Sequence, residues 1–184
     1  IAAVGYDMYC HLLEEETRKL KNERIIEPVR THLELGLTGG IPKAYITSDR
    51  FRMEAYRRLS RAASLEELEG VIKDMTDAYG KPPESVQMLL DLTELRIAAS
   101  TLEVDGLKLD GPDLIFRTKK PQKLDHVLRD APGRASIIDH DTVYYRPPAN
   151  YLSQPSTLLA VLRKLLVRPV AGPAGSASNT VSKN

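Results

Sequence analysis

At 184 residues, 42% of them hydrophobic, the chain is long enough to bury one sizeable core. Its 26 basic and 25 acidic residues leave a net charge of +1, which excludes a bulk electrostatic attraction to nucleic acid and leaves only local patches to consider. A single cysteine, Cys10, excludes an intrachain disulfide and every zinc site built on several cysteines, as expected of a reducing cytoplasm.

Residues 5–22 place Tyr9, Leu12, Leu13, Glu16 and Leu20 at helical spacing, with Glu14, Glu15, Arg18 and Lys19 largely opposite, so a long amphipathic helix is expected there. Residues 28–37 alternate at Val29, Leu33, Leu35 and Leu37, the pattern of a half-buried strand, and Gly36, Gly39 and Gly40 read as turn glycines of a hairpin. The next helix opens at Ser48, with Phe51, Ala55, Leu59 and Ala62 as its apolar stripe and Arg57, Arg58 and Arg61 outside it. Ser64 and Glu67 form a capping box: the hydroxyl accepts from the Glu67 amide and the carboxylate reaches back to the Ser64 amide. Leu65, Leu68, Val71, Ile72, Met75 and Tyr79 then share one arc of a second helix. Gly80 ends it in a conformation that glycine tolerates, and Pro82 and Pro83 lead into a third. That third helix, residues 83–102, carries Val86, Leu89, Leu90, Leu92, Leu95, Ile97 and Ala98 around much of its circumference, and is expected to be the most buried element.

Beyond Val104 the texture changes. Strand-like pieces at 107–109, 113–118, 135–139 and 142–145 are separated by Gly, Pro and Asp turns, with a helix over 122–130 after the second. Pro147 and Pro148 end the sheet, and residues 154–167 offer a last helix through Leu158, Leu159, Val161, Leu162, Leu165 and Leu166. Residues 169–184 hold Pro, Gly, Ser and Ala without apolar periodicity and are expected to be a disordered tail. The predicted class is α+β, helices packed on a small, mostly antiparallel sheet, with a long N-terminal connecting helix. No apolar run reaches the roughly 18 residues a membrane span needs, so no membrane partner is expected.

The sequence encodes no recognisable catalytic, cofactor or metal site. Residues 36–43 contain glycines but not the Gly-x-x-x-x-Gly-Lys-Ser/Thr spacing that surrounds a phosphate with backbone amides. His11 is not followed by the second histidine of a zinc hydrolase, and His126, Asp139 and His140 show no paired ligand spacing. Cys10 carries no cue for a lowered pKa.

Two surfaces remain. Arg50, Arg52, Arg57, Arg58 and Arg61 make the helix at 48–62 the best nucleic-acid candidate, with Arg57, Arg58 and Arg61 foremost; an ordinary salt-bridged surface is the alternative. On the second helix Glu67, Gly70, Asp74 and Asp77 line up at i, i+3 and i+4 spacing. Like charges repel slightly there, and an interior glycine costs up to about 1 kcal/mol relative to Ala. A basic partner would relieve the repulsion and use the close approach that glycine permits; a solvated face accounts for the same spacing.

The order of the elements adds a further inference. Residues 48–96 run as a tyrosine-arginine helix, a Ser64-Leu65-Glu66-Glu67-Leu68 helix ending in Tyr79-Gly80, a Pro turn, and a helix closing on Leu95-Arg96. Ile41-Pro42-Lys43-Ala44-Tyr45-Ile46 precedes them, and residues 1–16 read IAAVGYDMYCHLLEEE. This succession resembles the C-terminal domain of bacterial transcription-repair coupling factor over residues 1–145, most strongly over 41–96. The resemblance implies a piece of a longer protein: residues 1–24 would be a helix from an upstream motor domain, 25–168 the C-terminal regulatory domain and 169–184 the tail. It implies a non-catalytic domain of a cytoplasmic DNA translocase that removes stalled RNA polymerase, with ATP and Mg bound by motor motifs upstream. Such a domain would pack on the UvrB-like N-terminal domain of the same protein and mask the surface that recruits UvrA. Asp74 and Asp77 match acidic contact residues of the family, whereas Ala78 stands where the family often has Arg. The expected intramolecular interface is therefore Glu67, Gly70, Asp74 and Asp77, with a nucleic-acid accessory role for the arginine helix as the alternative.

Overall fold

A computed structural model describes residues 31–167. The helix expected over 5–22, Cys10, the first residues of the strand expected over 28–37 and the tail over 169–184 lie outside them.

A short strand, β1 (His32–Glu34), leads into three successive helices, α1 (Asp49–Arg61), α2 (Leu65–Tyr79) and α3 (Glu84–Thr101). Strands β2 (Val104–Asp110) and β3 (Asp113–Thr118), helix α4 (Pro121–Leu128), strands β4 (Arg134–Ile137) and β5 (Thr142–Arg146), and helix α5 (Pro155–Leu166) follow. The sheet runs β1-β2-β3-β5-β4, with β1 parallel to β2 and every other neighbour antiparallel. The α+β class holds, and the lone parallel pair exists because three helices separate β1 from β2 and leave room for a crossover.

Hydrophobic alternation sets the sheet's two faces. Leu107, Leu114, Phe116, Val143 and Tyr145 are buried on one side, in a core with Leu124 and Leu128 of α4 and Leu158, Leu159 and Leu162 of α5. A second core joins Ala55 and Leu59 of α1 to Leu68, Val71 and Met75 of α2. Helix α3 belongs to both: Val86, Leu89, Leu90 and Ile97 enter the second core, while Leu95, Ala98 and Ala99 enter the first. As expected from its sequence, it is buried almost all round. Arg163 of α5 pairs with Asp91, 3.0 Å away, and with Glu94, both on α3, which ties the last helix to this shared one.

Four local expectations are corrected. The segment after β1 makes no hairpin. Gly36 turns the chain at φ +67°, but a Cβ on Gly39 would stand 2.3 Å from the Leu89 amide nitrogen, so this glycine lets two backbones touch. The Gly40 amide donates to the Ser85 carbonyl (2.9 Å) and the Ile41 amide to the Tyr56 hydroxyl (2.7 Å), sealing that seam. Phe51 is not core: it is 56% exposed, while Arg52 turns inward and donates to the Ile46 carbonyl at 2.9 Å. In the capping box the Ser64 hydroxyl accepts from the Glu67 amide at 3.1 Å, but the Glu67 carboxylate accepts from the amide of Ala63, at 2.8 Å, one residue earlier than expected. The strand expected over 135–139 is β4, which stops at Ile137 because Asp139 turns the chain into β5, its carboxylate accepting from the Asp141 amide at 3.0 Å.

Candidate interaction surface

Helix α2 buries Leu68, Val71 and Met75 and turns Glu67, Gly70, Asp74 and Asp77 to solvent. The four residues picked out by spacing thus form one exposed stripe. A Cβ added to Gly70 would meet nothing within 4 Å, so the domain's own packing does not require glycine there.

Charge is segregated between neighbouring helices. Helix α1 carries five arginines against Asp49 and Glu54, a net +3, whereas α2 carries five carboxylates against Lys73, a net −4. One contact bridges them: Arg58 Nη2 donates to Asp74 Oδ2 at 2.5 Å. The remaining pairs lie within a helix, Arg57 with Glu54 at 2.5 Å, Lys73 with Asp77 at 2.9 Å, and Arg52 with Asp49. Arg61 is exposed and makes no ion pair among the described residues. The structure therefore brings one candidate from each surface together, Arg58 with Asp74, a pairing that the sequence signalled only through the opposite charge of consecutive helices.

The C-terminal end of α2 is anchored by a residue the sequence reading had placed only in a motif. Tyr45 donates its hydroxyl to the Gly80 carbonyl at 2.9 Å, and its ring meets that of Tyr79 edge-on with centroids 5.9 Å apart. Partial burial, and secondarily Tyr79, push the Tyr45 hydroxyl's pKa upward, so it stays a donor at physiological pH. This bond ties Gly80, at φ +82°, to the segment before α1.

Elsewhere the titratable groups serve the fold. Asp139, His140 and Asp141 lie together in the β4–β5 turn with possible ligand atoms within 4.8 Å of one another, while His126 stands on α4. The hydrogen bond from the Asp141 amide draws the Asp139 carboxyl below its usual range, the signature of a turn cap. A cleft of about 240 Å³ between residues 33–39 and α3 is lined by Leu33, Leu35, Leu37, Leu89 and Leu92. Arg96 at its edge donates to the carbonyls of Leu59 and Ala62. No described helix is long and apolar enough to cross a membrane.

A family model described as the TRCF domain matches residues 35–127, half of the chain, from the Gly39 seam through α1, α2 and α3 to α4. The chain belongs to the TRCF domain family. The transcription-repair-coupling factor of Myxococcus xanthus is 27% identical to it over 146 residues, 79% of this chain, and that of Bacillus subtilis 28% over 111 residues, 60% of this chain. The Mycobacterium tuberculosis protein is 32% identical over 108 residues, 53% of this chain. The chain spans only about a tenth of these relatives, 12% of the first and 9% of the other two. A crystal structure of the C-terminal domain of transcription-repair coupling factor superposes with a TM-score of 0.65 at 16% identity, covering 75% of this chain and 90% of that one. At that identity the likeness establishes a shared TRCF fold. The fold is that of a C-terminal TRCF domain.

Proposed function

We propose that this TRCF domain is a non-catalytic regulatory module that docks, through the outer face of α2, on a UvrB-like N-terminal domain of the same protein, masking UvrA recruitment and restraining the motor. On this reading the parent is a cytoplasmic, ATP- and Mg-dependent DNA translocase acting on stalled RNA polymerase, and its motor lies outside this chain. The observation that supports it is the exposed stripe of Glu67, Gly70, Asp74 and Asp77, acidic and open at its glycine. A carboxylate row with an uncovered glycine suits a basic surface that approaches closely, and charge complementarity across such a contact sets partner choice. Helix α1 has paired charges too, as Asp74 and Asp77 have with Arg58 and Lys73, but it carries no glycine to let a partner approach. Arg52, Arg57 and Arg58 are each paired with a carboxylate, and the Tyr56 hydroxyl is engaged by the Ile41 amide.

The test is binding in trans. The separately purified UvrB-like domain should bind this chain, and Asp74→Lys with Asp77→Lys should weaken that binding by an order of magnitude or more, since opposed like charges cost several kcal/mol. In the full-length protein the same pair should increase UvrA binding. Unchanged affinity in a folded double variant would return the stripe to a solvated face.

A further inference from the structure

Among the described residues the sheet has one face covered by helices and one that no element covers. Residues alternating with the core positions point away from the helices, and among them Lys108, Arg117, Arg134, Ser136 and Tyr144 are exposed. Strand register places Lys108, Ile115, Tyr144 and Ser136 on one rung across β2, β3, β5 and β4. Tyr144, 36% exposed, thus stands with its ring on an open platform beside Ile115. On the rung to one side Arg117 faces Thr142, and on the rung to the other Arg134 faces Arg146. Both arginines are diagonal neighbours of Tyr144, with backbones roughly 7 Å from its own. The stem of Arg117 leans over Gly106 of β2, where an added Cβ would stand 3.8 Å from its Cβ and 3.9 Å from its Cδ, so it covers the strand on the far side of β3 from Tyr144.

The arginines on this half of the face differ in pairing. Arg146 is neutralised by Asp113, which accepts from its Nε at 2.7 Å and its Nη2 at 2.5 Å. Arg117 and Arg134 make no ion pair among the described residues. The other carboxylates at this face are Asp110, at the β2–β3 turn, Glu34, opposite Lys108 and 3.2 Å from His32, and, at the β4–β5 turn, Asp141 with Asp139 beside it, Asp141 accepting at 2.9 Å from the hydroxyl of Thr142, which stands opposite Arg117. An exposed aromatic ring on a sheet, with an unpaired guanidinium on either flank, matches in both chemistry and placement a ligand that alternates flat bases with phosphates. Helix α1 has the greater number of arginines but lacks both features, because its cations are largely paired and its tyrosine hydroxyl is engaged.

We propose that the bare sheet face, centred on Tyr144 with Arg117 and Arg134, binds single-stranded nucleic acid, independently of the α2 docking surface. The test uses the full 184-residue chain and a fluorescein-labelled oligo(dT) 12-mer, read by anisotropy. Two phosphate contacts predict a slope of about −1.4 for log affinity against log salt. Tyr144→Ala should weaken binding roughly tenfold through lost stacking, Tyr144→Phe should retain it, and Arg117→Ala with Arg134→Ala should flatten the salt dependence. The triple change Arg57→Ala, Arg58→Ala and Arg61→Ala should leave affinity unchanged. Circular dichroism checks that each variant is folded. No binding at salt on the order of 50 mM, tighter binding to duplex, or loss with the α1 triple would each overturn the proposal. So would a Tyr144→Ala chain that keeps its oligonucleotide affinity but loses binding to the UvrB-like domain, which would make the face a protein-docking surface.

Discussion

Exchanging the charges of the pair between α1 and α2, as Arg58→Asp with Asp74→Arg, separates what this contact does for the fold from what it presents outward. The two side chains are 42% and 57% exposed, so the 2.5 Å pair is a surface ion pair worth about 0.2–1 kcal/mol. Asp74→Arg alone removes that contribution and sets two guanidinium groups side by side, a loss of about 1 kcal/mol in all. For a domain of this size that lowers Tm by about 2–8 °C. The double exchange restores an opposite-charge pair and should recover most of the loss. Docking should behave differently, because the charge at position 74 is reversed in the single and double variants alike, and both should bind a UvrB-like domain at least about tenfold more weakly than the parent chain. Thermal unfolding by circular dichroism and calorimetric titration read the two quantities on the same samples. Recovery of docking together with Tm in the double exchange would refute the reasoning: affinity would then follow the net charge of the patch, which the exchange preserves, or the stability of the fold, and not the group at 74.

Two glycines should respond in opposite senses to alanine. Gly39→Ala drives a Cβ to 2.3 Å from the Leu89 nitrogen, backbone against backbone, and should cost about 1–3 kcal/mol or more, read as a lower urea midpoint. Gly70→Ala meets nothing within 4 Å on an exposed helix interior and should raise stability by up to about 1 kcal/mol while weakening docking. The Asp113–Arg146 clamp should show in the pH dependence. Hydrogen bonding to Arg146 holds the Asp113 carboxyl below its unfolded value, so its stabilisation is complete above that value, near pH 4, and is lost as pH falls through the lower folded one. Urea midpoints of the parent chain and Asp113→Asn should therefore differ at about pH 6 and converge as the pH falls through the lowered folded value.

The elements with self-contained signals could be read directly from the sequence. Ser64, Gly80 and Pro83 act on their own neighbours, so the bounds of α2 and α3 followed from local chemistry, and so did the outward stripe of α2, since burial of Leu68, Val71 and Met75 determines where Glu67, Gly70, Asp74 and Asp77 must point. What escaped depends on chain segments distant in sequence. Gly39 looks like a turn glycine until α3 is laid against it, and nothing near Phe51 announces that Arg52 will reach the Ile46 carbonyl and hold the ring outside. The partnership of Arg58 with Asp74 joins two helices, and the Tyr45 anchor on Gly80 spans both of them whole. The parallel pairing of β1 with β2 likewise joins His32 to Gly106, a distance along the chain that alternation cannot see.

Because α3 gives Val86, Leu89, Leu90 and Ile97 to one core and Leu95, Ala98 and Ala99 to the other, melting of either core strips one side of the helix on which the other is built. A pull on α2 from a docked partner is carried through that single axle to the sheet on the far side. If the domain docks through α2 as proposed, its release would free the whole unit and not peel away one helix, so hydrogen exchange at the α3 amides should slow or quicken only with global unfolding, whether α2 is docked or released.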